Sequence, residues 1–522
     1  MIATMANRLQ HWDVEVIDEN NIRGRFCPKD RNKHPDHNIL QTERPADVVA
    51  LYGSLTSTIP RLFQVARFYR DRGVITLAGG KHVENLPEEA LENGIDIVGH
   101  GEGEYIIQEI LTALENSSSL SDIAGIHYRE AAAGESGAEH RCCKTEVRPI
   151  IEELGALPYP DFNLVRYAKI KIYPINWSRG CNMHCEFCAV KSRSRCSSPE
   201  YMINQIAYLV ETRNAGQFFE VSDHFASRTE EAIRFCGLLS EYQQRIGKRL
   251  RLNIQTRITD ARNPELLQAM RSAGINMIAV GYESPIDEDL KAMNKGYLSK
   301  DMVGWTKTFR KQGFFIHGMF IFGYPRQPGA EAAIHLSLKE KIKRYRQFIQ
   351  EAKIDTLQVV MPIPLPGTEL RKRLAEEERI YPRDQIGWEY YDGQFPVFEP
   401  DDDISPEELQ KAVGKIMRRF YSLRSIGQMI VRILFHFPII MIPASTTLVT
   451  LKAHYLVNAF IHWKRRYFRN PLLRFGGFII QKQWFKAFKE STFMEKLSTA
   501  RLRVRNRRSR LKNKRREKHS HA

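Results

Sequence analysis

From residue 170 to Val360 one pattern recurs six times: a short apolar run, then a longer stretch with apolar residues at helical spacing. The runs are residues 170–177, Phe218–Val221, Leu250–Ile254, Met277–Gly281, Phe314–Ile321 and Thr356–Val360. Strands that alternate with helices pair in parallel through right-handed crossovers. Six such units curl into an open or closed barrel, and the active site of such a barrel faces the C-terminal ends of its strands. Residues just after each run are therefore the ones to examine for chemistry.

The first run ends in Gly180-Cys181-Asn182-Met183-His184-Cys185-Glu186-Phe187-Cys188-Ala189, with three cysteines at spacing C-x3-C-x2-C. Three thiolates on one short loop can hold three irons of a four-iron, four-sulfur cubane. The fourth iron is then left open to a small molecule, whereas electron-transfer clusters take four cysteines. The alternative is a structural zinc site, which needs four tetrahedral ligands. His184 or Cys196 would have to complete it, because no second C-x2-C pair follows.

The chain has 522 residues, enough for two or three domains. Its eight cysteines form no secreted-type disulfide framework, and the N-terminus lacks the apolar core of a signal peptide. The expected compartment is the reducing cytoplasm, where an oxygen-labile cluster also survives. Net charge is +17, and eleven Lys/Arg against the single acid Glu517 fall within residues 501–522. A block of that kind reads as a solvated, disordered interaction arm.

The first 135 residues carry their own alternation. Strands are expected at Val14–Asp18, Asp47–Tyr52, Gly73–Gly80 and Ile95–Val98, with helices at Ile59–Arg72 and Leu86–Asn93. This rhythm predicts a doubly wound parallel sheet with a ligand beyond its strand ends. The loops there are rich in small residues: Gly53-Ser54-Leu55-Thr56, Gly79-Gly80-Lys81-His82 and Gly99-His100-Gly101-Glu102-Gly103-Glu104. Residues 136–165 read as a linker, with Ile126–Tyr128 and Val147–Pro149 pairing as a hairpin.

The cysteine loop, with an aromatic just before its last cysteine, resembles the signature of the radical S-adenosylmethionine (SAM) enzymes. The resemblance spans residues 166–400 and includes Gly281-Tyr282-Glu283-Ser284 followed by Leu290, Met293, Lys295 and Gly296. It implies that Cys181, Cys185 and Cys188 hold a [4Fe-4S] cluster and that SAM chelates the open iron and is cleaved to a 5′-deoxyadenosyl radical. It further implies contacts to SAM from Phe187, Glu220, Asp223, Arg257, Glu283 and Ser284, with Glu283 at the ribose hydroxyls. The N-terminal segment resembles the cobalamin-binding domain upstream of many radical SAM modules. That likeness nominates Ser54, Thr56, Gly79, Gly80, Gly101 and Glu102 for cobalamin. The D-x-H-x-x-G motif that carries the axial histidine is absent, since Asp18 is followed by Glu19-Asn20-Asn21-Ile22-Arg23-Gly24. Cobalamin binding and a vestigial, cofactor-free domain both stay open.

The expected fold is thus α/β: an N-terminal Rossmann-like unit (1–135), a linker (136–165), a radical SAM partial barrel (166–400), a helical extension (401–500) and a basic tail (501–522). In the extension, Ser405-Pro406-Glu407-Glu408 is a strong helix start. Met429–Pro443 is apolar but too short and interrupted for a membrane span. Aromatics mixed with cations at Trp463–Arg469 and Trp484–Lys489 suit an interfacial helix on an anionic leaflet, a structural cap, or an RNA grip, with RNA set last.

The expected function is methylation or carbon–carbon bond formation at an unactivated carbon of a lipid or other hydrophobic substrate, with a flavodoxin or ferredoxin as reductant, in the cytoplasm or on the inner membrane face. The rivals are an RNA modifier of the methylthiotransferase type and a non-catalytic zinc or nucleic-acid binding protein. The former usually carries three more cluster cysteines, and Cys27, Cys142 and Cys143 are wrongly spaced for that.

Overall fold

The computed structural model describes residues 1–21, 27–131, 140–328, 336–401, 403–431 and 469–520. The connector at 132–138, residues 22–24 after Asp18, most of the apolar Met429–Pro443 run and residues 463–468 of the aromatic-basic stretch lie outside them.

The N-terminal unit is a five-stranded sheet. Strands β1 (Val48–Tyr52), β2 (Ile75–Gly79) and β3 (Ile97–Gly99) run parallel, and β4 (Ile126–Ala131) and β5 (His140–Lys144) follow antiparallel. Successive side chains of a strand face opposite ways, and β2 shows the result. Leu77 joins one core with Ile106, Ile110 and Leu111 of helix Gly103–Glu115, while Ala78 joins another with Ile59, Leu62 and Ala66 of helix Ile59–Arg70. Helices on both faces make the unit Rossmann-like.

Three details depart from the sequence reading. The sheet order is consecutive, so the reversal of strand order that defines a doubly wound sheet does not occur. The Val14–Asp18 run supplies only Val16–Ile17, which pairs with Val165–Arg166 away from the sheet. The hairpin partner of β4 is His140–Lys144, within the expected linker, rather than Val147–Pro149. β-Branching and alternation are weak in His140-Arg141-Cys142-Cys143-Lys144, which is why the run did not read as a strand.

The central unit is one six-stranded, all-parallel sheet in consecutive order: β6 (Tyr173–Ile175), β7 (Gln217–Glu220), β8 (Arg251–Thr256), β9 (Ile275–Glu283), β10 (Phe315–Ile321) and β11 (Thr356–Val360). β6 and β11 do not pair, so the barrel is partial and open along one side. Strands buried on both faces read as near-continuous apolar runs, and five of the six were legible within two residues for that reason. Crossover helices return each strand to the same direction, for example Pro199–Arg213, capped by Ser198 and closed by Asn214 at φ +49°. Tyr282 of β9 stacks on Phe320 of β10 with ring centroids 5.3 Å apart.

After the barrel, helix Pro406–Phe420 begins as expected, with a capping box between Ser405 and Glu408 and Pro406 in its first turn. It buries Leu409, Val413, Ile416 and Met417. Helices Arg469–Glu490 and Phe493–Ser520 complete the described chain. The basic tail is therefore helical through Ser520, not disordered. Phe493, Leu497, Ala500 and Val504 recur at helical spacing and are fully buried, and Phe493 packs on Tyr390 and Phe395. That stripe anchors the helix before its most basic part begins. Among the described residues no helix is long and apolar enough to cross a membrane.

Candidate active site

The cysteine loop leaves β6 through a short strand, Ser178–Arg179, which pairs antiparallel with Arg195–Cys196. Gly180 follows at φ +84°, and a Cβ there would collide with the carbonyl oxygens of Arg193 and Ser192. Only glycine fits this crossing of two chain segments. The Cys181 N–H donates to the Ser192 carbonyl (3.0 Å), and the Ser194 N–H to Asn182 Oδ1 (3.0 Å), so the loop is tied at its neck.

Cys185 is buried, and Cys181 and Cys188 are partly buried; all three are free thiols. Burial pushes the Cys185 and Cys188 thiols up, each further raised by its neighbouring cysteines, while Lys295 and Arg257 oppose this at Cys185. The Val190 N–H donates to Cys188 Sγ (3.4 Å). The cations and the backbone donor oppose that rise and are the groups that would favour thiolates here. Cys196 Sγ contacts Ser227 instead (3.8 Å), and His184 is exposed. Among the described residues no three His, Cys, Asp or Glu side chains converge on one point as a single zinc ion would require.

Glu186, which the sequence did not single out, clamps the loop from behind. Its carboxylate pairs with Arg373 (2.6 Å) and accepts from Tyr324 Oη (2.7 Å) and Gln327 Nε2 (3.2 Å), and these donors hold it below the usual carboxylate range although burial opposes them. Its partners lie far away in sequence, so no local pattern could have shown them. Phe187 packs edge-on against Tyr324 and under Lys295 Nζ (5.9 Å).

The strand ends bring the other nominated residues around this loop. At the end of β7, Glu220 is wholly buried. Its Oε1 accepts from the Ser222 N–H (3.0 Å) and from the Ser222 hydroxyl, while Oε2 has no partner among the described residues. Burial pushes its carboxyl up to about 7. Asp223 accepts from the Gly180 N–H (3.1 Å), and Lys81 of the N-terminal unit tempers the rise that burial causes there. Arg257, after β8, has no ion-pair partner among the described residues and lies within electrostatic reach of Cys185.

Glu283 ends β9 in the left-handed region at φ +59°, where the ladder to β10 slips by one residue. Such a bulge re-aims a side chain at a cost of about 1–3 kcal/mol. Here it turns Glu283 to Lys295 (3.1 Å). Ser284 is fully buried, bonded to Asp289 (2.6 Å) and Tyr345 (2.9 Å), so its hydroxyl is already spent on the barrel wall.

In the N-terminal unit Ser54 Oγ accepts from the Lys81 N–H (3.1 Å), and Gly80, at φ +121°, leaves room for it. Thr56 bonds His82 Nδ1 (3.1 Å), and the His82 ring stands edge-on to Trp388. Gly79 and Gly101 face open space. Glu102 points the other way. It pairs with Arg179 (2.8 Å) and Arg195 (2.9 Å), accepts from the Ile151 N–H (2.6 Å), and so ties the unit to the neck of the cysteine loop.

An open barrel of six parallel strands, with three thiols on the loop after its first strand, defines the class of this protein: an enzyme that builds its chemistry at one mouth of a partial β/α barrel. Residues 175–338 match the model of the Radical SAM superfamily. The chain therefore carries a Radical SAM domain over these residues, with a cobalamin-binding-like unit ahead of the barrel, and the [4Fe-4S] cluster and SAM are the cofactors that such a domain implies. It is similar to an uncharacterized methyltransferase of Pyrococcus horikoshii, at 24% identity over 72% of this chain and 78% of that one. It also resembles the hopanoid C-2 methylase of Rhodopseudomonas palustris, at 28% identity over 44% of this chain but only 42% of that protein. Bacteriochlorophyllide d C-12(1)-methyltransferase of Chlorobaculum tepidum matches at 22% over 81% of each chain. Among solved structures, the cobalamin-dependent SAM radical enzyme OxsB with aqua-cobalamin bound shares the fold over 90% of this chain and 77% of its own, with 14% identity and a TM-score of 0.53. The radical SAM methyltransferase TsrM of Kitasatospora setae does so over 66% and 68%, with 16% identity and the same TM-score.

Proposed function

We propose that this enzyme transfers a methyl group to, or forms a carbon–carbon bond at, an unactivated carbon of a hydrophobic substrate that it meets at a membrane face. In this reading Cys181, Cys185 and Cys188 hold the cluster, and cobalamin lies over the strand ends of the N-terminal unit. The observation that carries it is the placement at one mouth of three partly or wholly buried thiols on a single loop, with a buried carboxylate oxygen that lacks a hydrogen bond and an arginine that lacks an ion pair among the described residues. When bound, the cluster with SAM supplies a carbon-centred radical able to break a C–H bond too weakly acidic for any general base.

The residues of the chain bind, orient and exclude water. Oε2 of Glu220 is a buried acceptor with no hydrogen bond among the described residues, although the Trp177 backbone helps the charged form, and a ligand cation would satisfy it; the ammonium of SAM is such a cation. Arg257 offers a fork for the SAM carboxylate. Lys295 holds Glu283 where it can accept from ribose hydroxyls. Gly79 and Gly101 leave room for a large flat ligand, and Leu55 and Tyr52 beside them are exposed at 62% and 76%. An apolar platform with open glycines suits a corrin, and so supports the cobalamin reading. The names of the relatives favour methyl transfer.

Two measurements test the proposal. Replacing any one of the three cysteines with Ala should reduce iron and sulfide to background in anaerobically purified protein and abolish reductive SAM cleavage. Wild-type cleavage in the triple variant would refute the cluster assignment. Hydroxocobalamin should be retained through gel filtration, and protein emerging without corrin absorbance would remove cobalamin from the scheme.

A further inference from the structure

Helix Arg469–Glu490 turns several polar residues toward the barrel: Asn470 Nδ2 donates to Asp355 Oδ1 (2.7 Å), Arg474 donates to the carbonyls of Ile354 (3.1 Å) and Asp355 (3.2 Å), and Gln481 is buried. Burial lowers the Arg474 guanidinium to about 10. Phe478 and Phe488 pack inward, but five other apolar residues face outward. Leu472, Phe475 and Ile479 fall at i, i+3 and i+7, with Leu473 and Ile480 beside them, and Leu472 and Ile480 are each 67% exposed. Along this stripe the arrangement is the reverse of a usual surface helix in water. Helical residues 423–431 also expose Leu423, Ile430 and Val431, and Leu423 lines the groove beside the patch. Exposed apolar surface gathered in this way marks an interaction face.

What surrounds the patch selects the partner. Between this helix and helix Pro406–Phe420 lies a groove of about 880 Å³, floored by Val413, Leu423 and Phe478 and edged by Lys411, Arg418 and Lys482. No acidic residue lines it among the described residues. Lys482 sits 4.8 Å over the Phe478 ring, its stem on the apolar floor, as interfacial lysines do when they snorkel. Apolar residues edged by cations and neutral polar groups, with no acid among the lining residues, fit a layer that is oily within and negative at its surface.

We propose that the outward face of helix Arg469–Glu490, with the cation-edged groove beside it, docks this enzyme on an anionic phospholipid leaflet. This rests on the reading of a hydrophobic substrate met at a membrane, and it names the surface that would make that encounter. The apolar stripe enters the headgroup boundary, the lysines and arginines meet lipid phosphates, and the basic helix Phe493–Ser520 adds attraction at longer range.

The test is co-sedimentation of the full-length, cluster-loaded protein with vesicles of phosphatidylcholine alone or mixed with phosphatidylglycerol. Wild type should pellet with the anionic vesicles, less so as salt rises, and stay in solution with the neutral ones. Leu472→Glu and Ile480→Glu should each weaken binding about tenfold while leaving circular dichroism unchanged, since both side chains are exposed. Lys411→Gln and Lys482→Gln should each cost about fivefold, the equivalent of about 1 kcal/mol per basic residue. The proposal is overturned by wild type that remains in solution with anionic vesicles, by Ile480→Glu binding as wild type does, or by a dimer that Ile480→Glu dissolves, which would mean that a second copy covers the stripe. Partitioning needs no turnover. An active enzyme that ignores vesicles removes the docking face alone, and an inactive one that binds them removes the reaction alone.

Discussion

Glu220 shows how much one buried side chain can be asked to do. Its folded carboxyl lies near 7 against an ordinary value of 4.5, so between those limits the native state holds a proton that the unfolded chain releases. Stability therefore falls as pH rises from about 4.5 to about 7 and levels off above that. Glu220→Gln should remove that slope, as seen in urea midpoints collected across the range. The same variant loses the acceptor proposed for the SAM ammonium. Hydrogen bonds to charged groups contribute about 1.5–3 kcal/mol, so the SAM Kd of cluster-loaded Glu220→Gln should rise about ten- to a hundredfold by equilibrium dialysis. An unchanged Kd would place the ammonium elsewhere. Sequence reasoning nominated Glu220 through the family resemblance, within an expected strand. It could not show the orphan oxygen, because that depends on Ser222 taking only one side of the carboxylate.

At the scale of elements, the cysteine loop is held by parts that arrive late in the chain. Glu186 reaches Arg373 of helix Glu369–Glu376, and the Leu370 N–H donates back to the Glu186 carbonyl (3.1 Å). Leaving one partner of a buried ion pair without the other costs about 3–5 kcal/mol. Tyr324 and Gln327 would remain on Glu186, so Arg373→Met should lie near the low end, about 3 kcal/mol, by chemical denaturation. Iron should also leave the variant faster during anaerobic dialysis. The elements themselves were easy to foresee where burial is two-sided, as in β7 to β11, and where caps are strong, as at Ser405. They were hard to foresee where a strand is polar, as in His140–Lys144, and where helix and coil share a composition. Residues 501–520 belong to the second case: their charge suggested a solvated arm, but the apolar stripe from Phe493 to Val504 nucleates a helix that continues through them.

For the whole molecule, the two sheets share a core and an ionic seam. Phe63, Val83 and Leu91 of the N-terminal unit pack in one cluster with Leu374, Trp388 and Tyr391. Beside them Glu102 and Glu104 grip Arg179, and Glu102 also grips Arg195, whose side chain is only 4% exposed. Glu102→Gln would leave Arg195 charged and poorly matched in a dry place. The expected outcome is a loss of about 3 kcal/mol or more and faster tryptic cleavage within residues 144–166, between the two units. Unchanged cleavage would mean that the seam is held by its apolar part alone. Glu102 was nominated as a cofactor contact because it lies in a glycine-rich loop at a strand end. Its geometry makes it a tie between halves, and only the folded arrangement of residues nearly a hundred positions apart could show that.

The crossing at Gly180 has one more consequence. Main-chain and Asn182 contacts to residues 192–194 fasten the loop into a nearly closed ring before any iron arrives. The entropy of closing that ring is met by the chain itself, so metal loading has only the sulfurs left to organise. A ring sealed in this way is a portable part: moved with its neck intact onto another parallel-strand scaffold, it should carry its sulfur geometry along, whereas the three cysteines grafted alone should not.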